Sequence, residues 1–223
     1  MARAAPDGHT LAFSAVSPLT LRPHLGAVGY DPLRDIVPVA SVMFTPVVLV
    51  GTPAFSGSQF ADVVAQARAR PHELRWASSG LATAGHLVLE QVQMGSGIRV
   101  THIPYKGGGQ QLTDALGGQF ELLSTNVAPA QLRHIEAGRF KPLAVGSPER
   151  LAVLPGVPTF AELGLPQANI TSLFGVSPIP MKVAVGVAAY LYLYLIVAFA
   201  SLYLLFSPAS TKWLHSEDPI DAD

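Results

Sequence analysis

Between positions 47 and 147 the chain keeps switching between short β-branched runs and amphipathic helical patterns. That alternation limits the fold more than any other feature. The strand-like runs are "VVLV", "LRWAS", "IRVTHIPY", "FELLSTN" and "KPLAVGS". Helical patterns stand between them: "SGSQFADVVAQARAR", "AGHLVLEQVQMG", "GGGQQLTDALGG" and "APAQLRHIEAGR". Strands alternating with helices predict an α/β fold with a mostly parallel sheet. "VVLV" has no polar side chain, as expected of a parallel strand covered on both faces. Upstream, "HTLAFSAV" predicts a strand opening from the "PDG" turn, and 30–53 predict a turn followed by two short strands. In the first helix Ser58 is the expected N-cap. Phe60, Val63, Val64 and Ala67 share a face, and Arg68 and Arg70 sit in the last turn, where cations suit the helix dipole.

The chain has 223 residues, enough for one large domain or two small lobes with real cores. Net charge is −1, and no basic stripe marks a nucleic-acid partner. There is no cysteine, which excludes disulfides, thiolate metal sites and cysteine nucleophiles. The start, "MARAAPDGHTLAF", has no apolar h-region and does not read as a signal peptide.

Two loops could carry chemistry. "ASSGLATAGH" places small hydroxylated residues between a strand and a helix start, where backbone N–H groups and the helix dipole suit an anion. The competing reading is that Ser79 or Thr83 only caps the helix. "PYKGGGQQ" offers a lysine and three glycines, but its order is not that of a P-loop. It can equally be a flexible turn with a surface lysine. One βα unit separates the two loops, so both are expected at the carboxyl ends of neighbouring strands, where open α/β sheets bind ligands. No GxSxG, HExxH or HxxxH pattern occurs. His86 is the one tempting base, and a hydrogen-bonded structural histidine is the commoner case. Glu121 and Glu162 read as isolated, solvated carboxylates. An enzyme is not expected, nor any cofactor or metal.

At the far end, 183–206 carries no charge and no proline. As a helix its length is about 36 Å, more than the roughly 30 Å hydrocarbon core of a bilayer. It predicts a transmembrane helix in contact with lipid, with Trp213 as an interface anchor and a polar, acidic tail over 207–223. A buried core helix is the alternative. Lys182 and Lys212 flank the two ends equally, so orientation is not readable.

Seven stretches together resemble the substrate-binding proteins of tripartite tricarboxylate transporters, the Bug-type periplasmic receptors. They are "AAPDGHTLAF", "SPLTLRPHL", "YDPLRDIVPVA", "WASSGLATAGHL", "HIPYKGGGQQLTDALGGQ", "LAVGSPERLAVLPGVPTFAELG" and "FGVSPIP". The resemblance implies a type II periplasmic-binding-protein-like fold. In such a fold a small carboxylated solute sits between two lobes and is handed to membrane permease subunits. It implies cleft roles for Ser17, for Ser79, Gly80, Thr83 and His86 of the serine loop, for Tyr105, Lys106, Gly107 and Gly108, and for Asn126. Leu81 and Ala82 stand where the family has asparagine and glycine, and Thr125 where an aspartate often precedes the asparagine. By the same comparison 47–142 is a second lobe. The first lobe, 1–46 plus 143–180, is expected to be incomplete, truncated at its N-terminus and followed by an unrelated apolar tail at 181–206. The receptor part is then periplasmic and the chain membrane-attached. A non-binding membrane-anchored scaffold is the other class left open, with a hydrolase using His86 and Ser79 behind it.

Overall fold

A computed structural model describes residues 11–36 and 39–178. Its elements run β1 (Leu11–Ala15), α1 (Ser17–Thr20), β2 (Ala40–Gly51), α2 (Phe60–Ala69), β3 (Arg75–Ser78) and α3 (Ala84–Ser96). They continue β4 (Thr101–Pro104), α4 (Gly108–Leu116), β5 (Leu122–Asn126), α5 (Pro129–Glu136), β6 (Lys141–Val145) and β7 (Thr171–Pro178). The "PDG" turn and the expected span over 183–206 lie outside the described residues. Among those residues no helix is long and apolar enough to cross a membrane.

The 30–53 segment forms one strand, not two. β2 runs unbroken through Pro46 and changes partners there. Ala40 to Pro46 pair antiparallel with β7, which in turn pairs with β1. Val47 to Gly51 pair antiparallel with β5 and β6. Proline lacks an N–H to give to a ladder, so a change of partner is a place a strand tolerates it. The strand order is β1-β7-β2-β5-β3-β4, with β6 also on β2.

The expectation of a mostly parallel sheet is corrected. Among the described strands the parallel ladders are those of β3 with β4 and β5, while β2 pairs antiparallel with β5, β6 and β7. The burial read from "VVLV" is present: Val47 and Leu49 enter one core with α2 and α3, and Val48 and Val50 enter another on the opposite face with Ala115, Phe120 and Phe140. Burial on both faces follows from helices on both sides, whichever way the strand runs.

The first half of β2 is different. Val42, Met43 and Phe44 are exposed, Phe44 at 70%, and so are Leu11 and Phe13 of β1. The lobe boundary expected between 142 and 143 falls inside β6 (Lys141–Val145). Leu143, Phe160, Leu165 and Ala168 pack into the core with Val47, Trp76 and Leu89. Only from Thr171 does the chain join β1 and the first half of β2.

Local caps differ from the sequence reading at one helix. Asp62, not Ser58, closes the start of α2, with its carboxylate accepting from the backbone N–H of Ser58 and Gln59. Glu121 and Glu162 are not isolated either. Arg75 donates to both oxygens of Glu121 at 3.1 and 2.6 Å. Arg150 donates to Glu162 at 3.0 Å, and Glu162 also accepts from the Thr159 N–H.

Candidate ligand cavity

β3 and β4 are parallel neighbours, with Ser78 opposite Pro104. Their loops therefore leave the same sheet edge, as the sequence spacing led us to expect. The loops are also bonded together: the N–H of Tyr105 donates to Ser78 O, and that of Gly107 to Ser79 O. A cavity of about 490 Å³ opens above them. On one side stand Ala15, Ser17, Met43, Thr45, Ser172 and Phe174, from β1, the start of α1, β2 and β7. The other side is made by the serine loop, the starts of α3, α4 and α5, and the end of β5.

Among the described residues, none that lines the cavity is Lys, Arg, His, Asp or Glu. Three helix N-termini meet the cavity instead, at Thr83–Gly85, at Gly108 and at Ala128–Pro129. Neither α4 nor α5 has a side-chain cap. The first N–H groups of a helix have no intrahelical acceptor, and the dipole there is positive. An anion gains roughly 0.3–1 kcal/mol at each such end, more when partly buried.

Gln111 adds a further donor. It is only 2% exposed, it lines the cavity, and its Nε2 has no hydrogen-bond partner among the described residues. A buried unpaired donor costs about 1–3 kcal/mol, and Gln131, also in the lining, has its Oε1 likewise buried without a partner among the described residues. Sequence reasoning missed Gln111. The signal was a glutamine one helical turn before Ala115, on the buried face of α4. Gln131, Thr45, Ser124 and Ser172 were missed as well. Ser172 donates to Asn126 Oδ1 at 2.9 Å across the cavity's edge.

Of the residues expected at the site, Ser17, Ser79, Thr83, Gly108 and Asn126 line this cavity. Thr83 also caps α3, accepting from the His86 N–H at 3.4 Å, so the capping and cavity readings both apply to it. Gly80, His86, Tyr105, Lys106 and Gly107 do not line it, and each has a physical reason. The Gly80 carbonyl accepts from Thr83 and Ser78. Gly107 spends its N–H on Ser79. The Tyr105 hydroxyl donates to Asp114 at 2.7 Å, and burial, then that bond, push its pKa up to about 12. Lys106 is exposed.

His86 stands behind the loop. Its Nδ1 accepts from the Ala82 N–H at 3.2 Å, and its Nε2 faces Glu90 at 3.4 Å. Its ring stacks on His102, with centroids 4.3 Å apart and planes 7° apart. Ala82, the residue in a glycine position, has φ 59. That conformation costs a residue with a Cβ roughly 1–2 kcal/mol. Leu81 and Ala82 face a second hollow of about 510 Å³ with Arg22 and Tyr30, and Ser17 and Thr83 line both hollows.

His102 lies 2.7 Å from Ser78 Oγ. Burial, then the neighbouring His86, lower its pKa from 6.5 to about 4. The folded ring therefore binds a proton less readily than the unfolded one. Its contribution to stability is full above pH 6.5 and is lost as the pH falls from there toward 4. Thermal melts between about pH 7.5 and 4.5 are expected to show a falling midpoint, with a shallower fall in His102→Gln.

Comparison with known proteins agrees with this fold. The family model described as tripartite tricarboxylate transporter family receptor matches residues 1–188, past Pro180, where the motif resemblance ends. Protein BugT of Bordetella pertussis (strain Tohama I) is 38% identical over 180 residues, covering 78% of this chain and 54% of its own. A solved structure described as a periplasmic transporter is 32% identical with a TM-score of 0.77, covering 95% of this chain and 68% of that one. The R. palustris protein Rpa4515, solved with adipate, is 30% identical with a TM-score of 0.75, covering 96% and 69%. The chain spans about half the length of the curated relatives it matches. These likenesses make the fold α/β and periplasmic-binding-protein-like. The chain belongs to the tripartite tricarboxylate transporter family of receptors.

Proposed function

We propose that this chain captures a small carboxylated solute in the cavity between its two groups of strands, and that it does no chemistry on it. The observation that carries the reading is the buried Nε2 of Gln111, unpaired among the described residues, in a cavity whose described lining has no carboxylate side chain and is met by three helix N-termini. Ser79, Thr83, Gly108 and Asn126 supply further polar contacts, and Ser17 closes the opposite side. The adipate in the Rpa4515 structure is a guide to solute class, a small dicarboxylate. The change of partners in β2 at Pro46 supports a division into two lobes. In this reading 47–170 form one lobe, and β1, β7 and the first half of β2 belong to the other.

The receptor part works in the periplasm and delivers solute to permease subunits, with 183–206 as a membrane anchor. Calorimetry of the full chain with adipate, malate and hexanoate tests the binding. Saturable heat is expected with at least one dicarboxylate, weakened about tenfold or more in Ser79→Ala, where a hydrogen bond to a charged group is lost. No heat from a folded sample would instead favour a scaffold that has lost binding. Turnover of a solute, abolished in His86→Ala, would favour an enzyme. Membrane fractionation of the full chain beside one ending at Pro180 tests the anchor: the full chain is expected in membranes and the shorter one free of them.

A further inference from the structure

We propose that His86 is a positioning residue for the 79–83 ligand loop, and that protonation of His86 releases the loop and lowers solute affinity. The inference rests on the reading that this loop holds a solute carboxylate.

Two imidazoles clasp the loop from behind. His102, from β4, lies 2.7 Å from Ser78 Oγ, which donates to the Gly80 carbonyl at 3.1 Å. His86, from α3, accepts the Ala82 N–H. Thr83 Oγ1 donates to the same Gly80 carbonyl at 2.8 Å. Ala82 holds a left-handed backbone that suits glycine, so it needs an external hold, and the hold on its N–H is His86 Nδ1.

That bond exists only while Nδ1 carries no proton. The ring proton is then on Nε2, facing Glu90 Oε1. A second proton turns Nδ1 from acceptor to donor, opposite another donor. It also places a positive charge against the stacked His102 ring, 4.3 Å away. The groups facing His86 are Glu90 on its own helix, His102 on β4, the Ala82 amide in the loop, and the Ser78 hydroxyl reached through His102. Of these, Glu90 alone favours the imidazolium, and it lies on the side away from Ala82. Protonation therefore strengthens the Glu90 contact and removes the Ala82 one. Ala82 is then free to leave its left-handed conformation and take Ser79 and Thr83 with it. His102 stays neutral over the same range, so the new charge resides on His86. Affinity is full while His86 is neutral and falls as the pH falls.

The test is a calorimetric titration of the full chain with adipate between about pH 8 and 5, run in parallel on wild type, His86→Asn and Ala82→Gly. Asparagine offers a non-titrating oxygen near the position of Nδ1. Adipate's own ionisation is common to all three proteins and cancels in the comparison. Wild type is expected to lose about tenfold more affinity across this range than His86→Asn, the equivalent of one hydrogen bond. Ala82→Gly is expected to flatten the profile too, because glycine takes the left-handed angle without the strain that drives alanine out of it. A wild-type slope equal to that of His86→Asn would overturn the proposal. A readout without ligand runs beside it: the Ala82 amide resonance should titrate together with the His86 ring nitrogens. An Ala82 amide that ignores the His86 titration would also overturn it. Absence of adipate binding by wild type at high pH would count against the binding reading, while the amide titration still decides the clasp.

Discussion

Gln111→Leu is expected to stabilise the folded chain while removing solute binding. Its Nε2 is buried without a partner among the described residues, and Gln111 belongs to the cavity lining. Such a group costs about 1–3 kcal/mol when nothing accepts its proton, and an apolar side chain of similar size avoids that cost. Solute-free stability is expected to rise by about 1 kcal/mol, read as the shift of a denaturant midpoint at constant slope. Affinity for a dicarboxylate is expected to fall by about 30-fold or more, since the lost bond goes to a charged oxygen. A group retained for packing alone would behave otherwise: its removal would lower stability and leave binding unchanged. That pair of outcomes would show that Gln111 is not a ligand donor.

The second large effect concerns Gly146, just after β6. A Cβ there would lie 2.5 Å from the Ile170 carbonyl oxygen and 2.8 Å from its nitrogen. Both are backbone atoms, so neither can swing aside as a side-chain end could. The Gly146 N–H donates to Val47 O at 2.7 Å, and the Val47 N–H donates to Ile170 O. Thr171 Oγ1 donates to Gly146 O at 3.1 Å. Three segments are thus bonded together where β2 changes partners. Gly146→Ala must push Ile170 away and weaken the Val47 bond. Overpacking and one lost hydrogen bond together predict a loss of about 2–4 kcal/mol. For a chain of this size that is roughly a 10 °C drop in melting temperature. Ser172 and Phe174 follow directly and line the cavity, so binding should weaken as well. A melting temperature within about 1 °C of wild type would mean that the junction yields freely, contrary to the packing described.

The sequence carried part of this fold and left the rest to tertiary context. Apolar content alone told that Val47, Val48, Leu49 and Val50 are covered on both sides. It could not tell their direction, because a strand buried between helices looks the same in either orientation. The 30–53 segment read as two short strands, where the structure has one running through Pro46. The partner exchange that accommodates it depends on residues as distant as Thr171 and Asn126. The two glycine- and serine-containing loops were legible, since each follows a strand and opens a helix. Which of their side chains face the cavity was not. His86 sits three residues past Thr83, which turns its ring behind the loop toward His102 of a different strand. Gln111 was legible in principle, as a polar residue on an otherwise apolar helix face.

The most direct test of the receptor reading is a map of backbone amide resonances as adipate is added to the isotopically labelled full chain. The account predicts saturable shifts concentrated at Ser79, Thr83, Gly108, Gln111 and Asn126, with the Gln111 side-chain NH₂ among the largest. Saturable shifts centred elsewhere, with these five positions unmoved, would contradict it.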